Sequence, residues 1–394
     1  MNSLTNSSNA SFSGAELFLS EIMIHSSRNI SNFVIPLSFE KKKHLIVTGK
    51  NGSGKTGFLL DLDAQLSKFQ KKQWPFGSKA VKNQKAEGVS ISFSKEELIR
   101  SVRGSAFFQI AFFPANRSLT FSPVVGINKI QSKSNYGTRE SASKNFLQFL
   151  VNLKAEKSFA KEEGKHERVK EIDSWFKNFV SRLQSLFSSP NLFLDFDTKE
   201  FIFRIIEPNK KPYHFNELPD GYAAVLSIMA ELFLRISQTD LGNTSFGGIV
   251  LIDEIETHLH VDLQKEILPF LIDLFPNIQF IVSTHSPFVL SSVSNAIICD
   301  LEKRIVFEDF SPFSYEAIVE SYFDTDQYST TVKEKIWEYK NLSAKKKSEL
   351  SSEEKLQLTR LVEYFDKLPI QLMPELETQL RLIKNSLLSI EKAQ

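Results

Sequence analysis

Apolar residues in this chain fall into two kinds of run. Short runs that alternate or are apolar throughout occur at 17–24, 33–39, 44–48, 89–93, 106–113, 248–252 and 279–283, and their length and makeup predict strands. Longer stretches with apolar residues three and four apart predict helices. One runs from Thr56 to about Phe69 through Phe58, Leu59, Leu62 and Leu66, and two or three are expected over 141–189 around a charged centre at 154–170. Another apolar helix continues to about Ile236 after a loop at Glu217-Leu-Pro-Asp-Gly221. The runs at 192–196 and 200–204 alternate around Asp197-Thr-Lys199 and predict a hairpin, whereas 74–88 is polar and basic and predicts a loop. From Pro312 onward the pattern is polar and helical. Leu356, Leu358, Leu361, Val362, Phe365 and Leu368 form one amphipathic set, and Leu376, Leu380, Ile383 and Leu387 form a second beyond Pro369 and Pro374. These two helices form either a packed cap or a docking surface for a partner, behind a charged spacer at 345–355.

Composition narrows the class. At 394 residues with 41% hydrophobic content the chain can bury a real core, and its 35 phenylalanines are expected to be concentrated in that core. No stretch approaches the roughly 20 apolar residues that span a bilayer. The first 14 residues are Ser/Asn-rich rather than basic then apolar, so no membrane span, no signal peptide and a disordered tail are expected. The single cysteine, Cys299, excludes an internal disulfide and suits a reducing, cytoplasmic setting. A formal net charge of +1 neither demands nor excludes a nucleic-acid partner, and the short basic runs at 41–43, 71–72 and 345–347 read as solvated surface.

Chemistry enters at three strand ends. Gly49-Lys50-Asn51-Gly52-Ser53-Gly54-Lys55-Thr56 satisfies G-x-x-x-x-G-K-[ST] between an apolar strand and an amphipathic helix. Glycines there let backbone N–H groups converge on phosphate oxygens, Lys55 neutralises β/γ charge and Thr56 can ligate Mg²⁺. The apolar strand Gly248-Ile-Val-Leu-Ile delivers Asp253 and Glu254 at its carboxyl end, where α/β sheets place their chemistry. Asp253 suits Mg²⁺ and Glu254 the attacking water in γ-phosphate displacement. A third strand ends in Ser283-Thr-His285-Ser-Pro287, whose histidine can donate to the γ-phosphate. His258 and His260 invite a metal reading, but no third ligand accompanies them.

This order of P-loop, insertion, signature loop, Asp-Glu strand and His strand resembles the ABC ATPase superfamily, most closely its soluble SMC/RecF/OLD-like branch. Ile252-Asp-Glu-Ile-Glu-Thr-His-Leu-His260 and Ser283-Thr-His-Ser-Pro287 resemble the ATPases of bacterial anti-phage defence systems, of the OLD, Septu and retron-associated kinds. The resemblance implies an α/β ABC-type P-loop NTPase head with an antiparallel β subdomain, a helical insertion and a helical C-terminal region. The divisions expected are a tail at 1–14, a head at 15–310 with the insertion at 137–190, and the C-terminal region at 311–394. It also implies ATP and Mg²⁺ as cofactors, a cytoplasmic homo-oligomer and a separate effector protein. Asp220 and Gly221 occupy the signature position, a nucleotide contact made across a dimer interface in the family. Leu218-Pro219-Asp220-Gly221-Tyr222 departs from the usual Leu-Ser-Gly pattern, because an aspartate beside a γ-phosphate repels it. No glutamine is clearly placed as a Mg²⁺ sensor; Gln109 is nearest, while Asn116 and Arg117 sit where that loop should be. The expected function is an ATP-hydrolysing switch controlling an effector. The rival readings are a DNA-maintenance ATPase, for which the insertion is too short a coiled coil, and a transporter subunit. Nuclease activity would need a strand before Asp324-Thr-Asp326.

Overall fold

The computed structural model describes residues 16–70, 88–102, 108–117, 120–130, 136–139, 141–236, 246–314, 317–318, 330–343, 345 and 350–366. The expected tail, most of the 74–88 loop, Asp324-Thr-Asp326, Leu368 and the helix over 376–387 lie outside the described residues. The chain divides into two compact units, residues 1–315 and 316–394.

The first unit is built on a six-stranded sheet. It contains β3 (His44–Thr48), β5 (Phe108–Phe113), β9 (Gly247–Ile252), β10 (Ile278–Ser283), β11 (Ala296–Asp300) and β12 (Ile305–Phe307), in the order β12-β11-β3-β10-β9-β5. All neighbours pair in parallel except β12, which runs antiparallel on β11. Every residue of β3, β5, β9, β10 and β11 is buried, as expected for parallel strands covered on both faces. The edge pair β11–β12 was not anticipated as strands. At three residues β12 is too short to show a period, and 296–299 is a brief apolar run that ends at Cys299 without alternation.

A second, antiparallel sheet stands against the first, with β1 (Leu19–Ser27) between β2 (Ile30–Pro36) and β4 (Gly88–Phe93). Helix α1 (Lys55–Gln70) lies between the sheets. Its Phe58, Leu59, Leu62, Leu66 and Phe69 share one core with Ile22, Ile24 and Ile91 on one side and Leu45, Val47, Leu251 and Ile281 on the other. The joint between sheets is polar: the buried Gln279 side chain accepts from Leu19 N at 2.7 Å and donates to Leu19 O at 3.0 Å and Lys43 O at 2.7 Å.

After β4 come a short α2 (Ile99–Val102) and β5, then the insertion helices α3 (Phe146–Glu162) and α4 (His166–Leu186). Gly164, at φ 71°, makes the turn between them, a backbone region that favours glycine. The hairpin follows as β6 (Phe193–Asp197) and β7 (Ile202–Ile206), with β8 (Tyr213–His214) on its edge. Helix α5 (Asp220–Ile236) begins earlier than the sequence suggests. Pro219 O accepts from Ala223 N at 3.0 Å, the first i to i+4 bond of the helix, so Asp220 and Gly221 form a first helical turn rather than a loop; Glu217, which accepts from His214 N at 2.7 Å, caps the separate short turn Phe215–Glu217. Phenylalanines and Trp175 join the insertion to α5 and to α6 (Val261–Leu274). Phe146–Phe179 centroids lie 5.6 Å apart, Trp175–Phe233 5.5 Å and Phe233–Phe275 5.4 Å. On α5, Arg235 donates to Glu231 at 2.8 Å and to Ile110 O at 2.9 Å, while Glu231 accepts from Ala142 N and Ser143 N. This buried pair pins 142–143 to the helix with its polar atoms satisfied.

After β10 a short helix α7 (Pro287–Leu290) leads into β11. In the second unit, α8 (Thr330–Ser343) packs on α9 (Ser352–Asp366) through Val332, Tyr339, Leu342, Leu361 and Phe365. Both helices fall in the stretch read as polar and helical, but only α9 shows an amphipathic set in the sequence, because the apolar positions of α8 are diluted by Thr, Lys and Glu. Trp337 on α8 is 68% exposed.

Buried His44 at the start of β3 accepts from Phe280 N through Nδ1 at 3.0 Å. Burial, aided by nearby Lys42, pushes its imidazole down to about 3 from 6.5. The folded chain thus keeps His44 neutral while the unfolded chain protonates it below pH 6.5, so its contribution is full above that pH and is lost as pH falls. Between pH 7 and 5.5 the parent should lose about 1 kcal/mol more urea stability than His44→Asn, from a limiting slope near 1.4 kcal/mol per pH unit. Identical pH slopes in the two proteins would remove this assignment.

Candidate active site

Strands β3, β10 and β9 are neighbours in space although β10 comes last in sequence, and their carboxyl ends carry the three expected motifs. A cleft of about 470 Å³ forms there, lined among others by Asn51, Gly52, Gly54, Lys55, Thr56, Glu254 and His285. Gly49, Gly52 and Gly54 have φ of 133°, 84° and 99°, which only glycine adopts without strain. Lys55 is buried, and its Nζ donates to Gly49 O at 2.8 Å and Lys50 O at 3.1 Å. Burial lowers its pKa, while the carboxylates of Glu254, Glu256, Asp253 and Asp300 oppose that shift. Lys50 turns aside, its N donating to Glu302 Oε2 at 3.1 Å and its Nζ lying 3.6 Å from Oε1. Ser53 Oγ is buried beneath the loop, where a Cβ on Gly49 would meet it at 2.8 Å.

Thr56 Oγ1 donates to Asp253 Oδ2 at 2.9 Å, bringing a hydroxyl and a carboxylate together at the cleft. A hard divalent cation accepts this donor pair together with phosphate oxygens, so the residues present fit Mg²⁺. Ser283 sets the geometry behind them: its buried hydroxyl donates to Asp253 Oδ1 at 2.6 Å and accepts from Glu254 N at 2.7 Å. Glu254 itself sits at φ 45°. For a non-glycine residue that left-handed conformation costs about 1–2 kcal/mol, and here it turns the carboxylate off the strand line into the cleft. His285 faces the same space. Its backbone N donates to Glu256 Oε1 at 2.5 Å, and burial, then the charge of Lys55, lowers its imidazole pKa. It therefore stands neutral at neutral pH, with an N–H to donate.

Asp220 and Gly221 are not brought into this cleft. They lie against the loop after β9, where a Cβ on Gly221 would stand 3.0 Å from His258 O, and Tyr222 stacks on Phe187 at 4.4 Å. His258 and His260 are exposed, and no group of three metal-ligating side chains occurs among the described residues. Gln109 occupies the far end of β5, paired with Gly248 rather than with the carboxylates; Arg117, just past the other end of the same strand, reaches the backbone carbonyls of Asp253 and Glu254. Arg28 and Asn29 line the cleft from the β1–β2 turn, and Gly57 leaves room for Arg28, whose Cγ would lie 2.8 Å from an added Cβ. No local motif announces these two, because the hairpin meets the cleft only through sheet-on-helix packing.

The parallel sheet, the glycine loop feeding α1 and the acidic end of β9 place the fold in the P-loop NTPase class. The chain belongs to the family described as "AAA domain, putative AbiEii toxin, Type IV TA system", whose model matches residues 92–291. It is 37% identical to the Retron Vc95 probable ATPase of Vibrio cholerae over 37% of this chain and 27% of that protein. It is 23% identical to the Septu protein PtuA of Bacillus mycoides over 74% of this chain and 42% of that protein. The chain thus spans less than half the length of these curated relatives. The SMC head domain from Thermotoga maritima aligns over 72% of this chain and 94% of its own at 14% identity and a TM-score of 0.37. No helix among the described residues is long and apolar enough to cross a membrane.

Removing the Ser283 hydroxyl would leave the Glu254 N–H and an Asp253 oxygen without their partner. Ser283→Ala should therefore lose about 2 kcal/mol of stability in urea unfolding, and an unchanged midpoint would show that the hydroxyl does not carry this geometry.

Proposed function

We propose that the chain is a Mg²⁺-dependent ATPase acting as a molecular switch, the ATPase component of an anti-phage defence system that controls a separate effector protein. The observation that carries this is the convergence of Lys55 and Thr56, Asp253 and Glu254, and His285 on one cleft at three adjacent strand ends. The glycine loop and the N-terminus of α1 cradle the phosphates, and Lys55 exchanges its carbonyl partners for phosphate oxygens. Thr56 and Asp253 hold the cation, which when bound supplies positive charge against the charge developing on the transferred phosphoryl group. Glu254 orients and deprotonates the attacking water, and neutral His285 donates to the γ-phosphate. The relatives named for retron and Septu systems support the defence setting and a cytoplasmic location. The reading includes a homo-oligomer, in which Asp220 and Gly221, which do not line their own cleft, would meet the nucleotide of a second copy.

Lys55→Ala should weaken ATP binding about 10- to 100-fold, the worth of a charge-assisted contact, read by equilibrium titration; unchanged affinity removes the phosphate-loop assignment. Glu254→Gln should keep the parent's affinity, lose turnover by about 10²-fold or more, and gain mass in light scattering when ATP is added. Wild-type turnover in that variant would place the general base elsewhere.

A further inference from the structure

Arg117 closes the Pro114-Ala-Asn-Arg117 segment that follows β5, the strand beside β9. Its side chain is only 9% exposed and runs back toward the carboxylate turn. Nη1 donates to Asp253 O at 2.8 Å and Pro114 O at 3.1 Å; Nη2 donates to Glu254 O at 3.0 Å and Ile255 O at 3.3 Å. Three consecutive carbonyls of the turn that carries Asp253 and Glu254 are therefore gathered on one planar guanidinium. Those carbonyls lie just past the strand end, where the sheet ladder no longer satisfies them and a buried carbonyl needs a partner. All four contacts go to backbone, and the side chain does not line the cleft, so it is not placed as a phosphate ligand. Residue Glu254 sits in the middle of the clamped trio with its φ of 45°.

We infer that Arg117 is a positioning residue for hydrolysis: it holds the backbone of Asp253-Glu254-Ile255 in the left-handed turn that keeps the Glu254 carboxylate facing the cleft. This rests on the ATPase reading above. A lysine cannot substitute, because one ammonium group lacks the rigid planar fork that spans three carbonyls. The requirement is for shape as much as charge.

The test measures turnover per nucleotide-binding site, with sites counted by ATP titration, in the full chain carrying Arg117→Ala or Arg117→Lys. Both should lose about 100-fold in turnover per site, the cost of misplacing a reacting group by roughly 1 Å, with affinity for ATP within about threefold of the parent. Millimolar guanidinium should restore part of the turnover of Arg117→Ala, whereas ammonium should not. Turnover per site within about threefold of the parent in the lysine variant overturns the assignment. So does a loss explained entirely by fewer binding sites, which marks a purely structural role. If Arg117→Ala does not fold, Arg117→Lys decides by the same criterion. A parent chain that binds ATP and does not turn it over with Mg²⁺ would instead defeat the ATPase reading.

Discussion

The parallel pairing of β3 with β10 and of β10 with β9 is the constraint on which the site depends. All three strands are buried on both faces, so polar groups can leave them only at their ends. Parallel pairing then puts all the carboxyl ends on one edge. The P-loop, the Asp-Glu pair and the histidine lie about 200 and 30 residues apart in sequence, and nothing local holds them together. Their meeting is a property of the sheet, maintained by the packing of α1 between two sheets and by the Gln279 side chain that joins them.

Within that frame the carboxylate turn is held against its own preference. Glu254 occupies a conformation that costs energy in isolation, and it stays there because surrounding groups bond the backbone N–H and C=O of Asp253, Glu254 and Ile255. Ser283 takes the Glu254 N–H and an Asp253 oxygen, and Arg117 takes three carbonyls. Glu256, on the same turn, takes the N–H of His285, so the acidic loop and the histidine loop share a rigid connection. Lys55 is also under opposed forces. Burial lowers the pKa of its ammonium group and the four nearby carboxylates raise it, which leaves a weakly hydrated cation facing the space where phosphate would sit.

The parts outside the sheet are tied to it by side chains of a different kind. Aromatic rings join the insertion helices to α5 and α6, and Tyr222 stacked on Phe187 fixes the beginning of α5 against the end of α4. The start of α5 is thereby held against the insertion. The two helices of the second unit form their own small core around Tyr339 and Phe365.

Strand and helix identity around the parallel sheet was legible from the apolar pattern, because buried parallel strands are continuously apolar, α1 buries one face and α5 is a long apolar run buried almost all round. The phosphate loop and the acidic strand end were legible for a chemical reason: the glycines, lysine and paired carboxylates have few other uses at those positions. Spacing could not reveal what lies across the sheet. Arg28 and Asn29 enter the cleft from another sheet, and Gln109 stands at the opposite end of its strand from the place suggested by proximity in sequence. Pro219 and Gly221 are turn formers and make the first turn of α5 look like a loop, whereas in the fold Pro219 O accepts the first helical bond, from Ala223 N, and Gly221 packs against His258 O. The sequence by itself determined which groups could do chemistry, since residue type sets charge, proton affinity and backbone freedom. Only the tertiary structure decided which of them meet, because parallel pairing between distant strands depends on the burial of the whole core and not on any local stretch of chain.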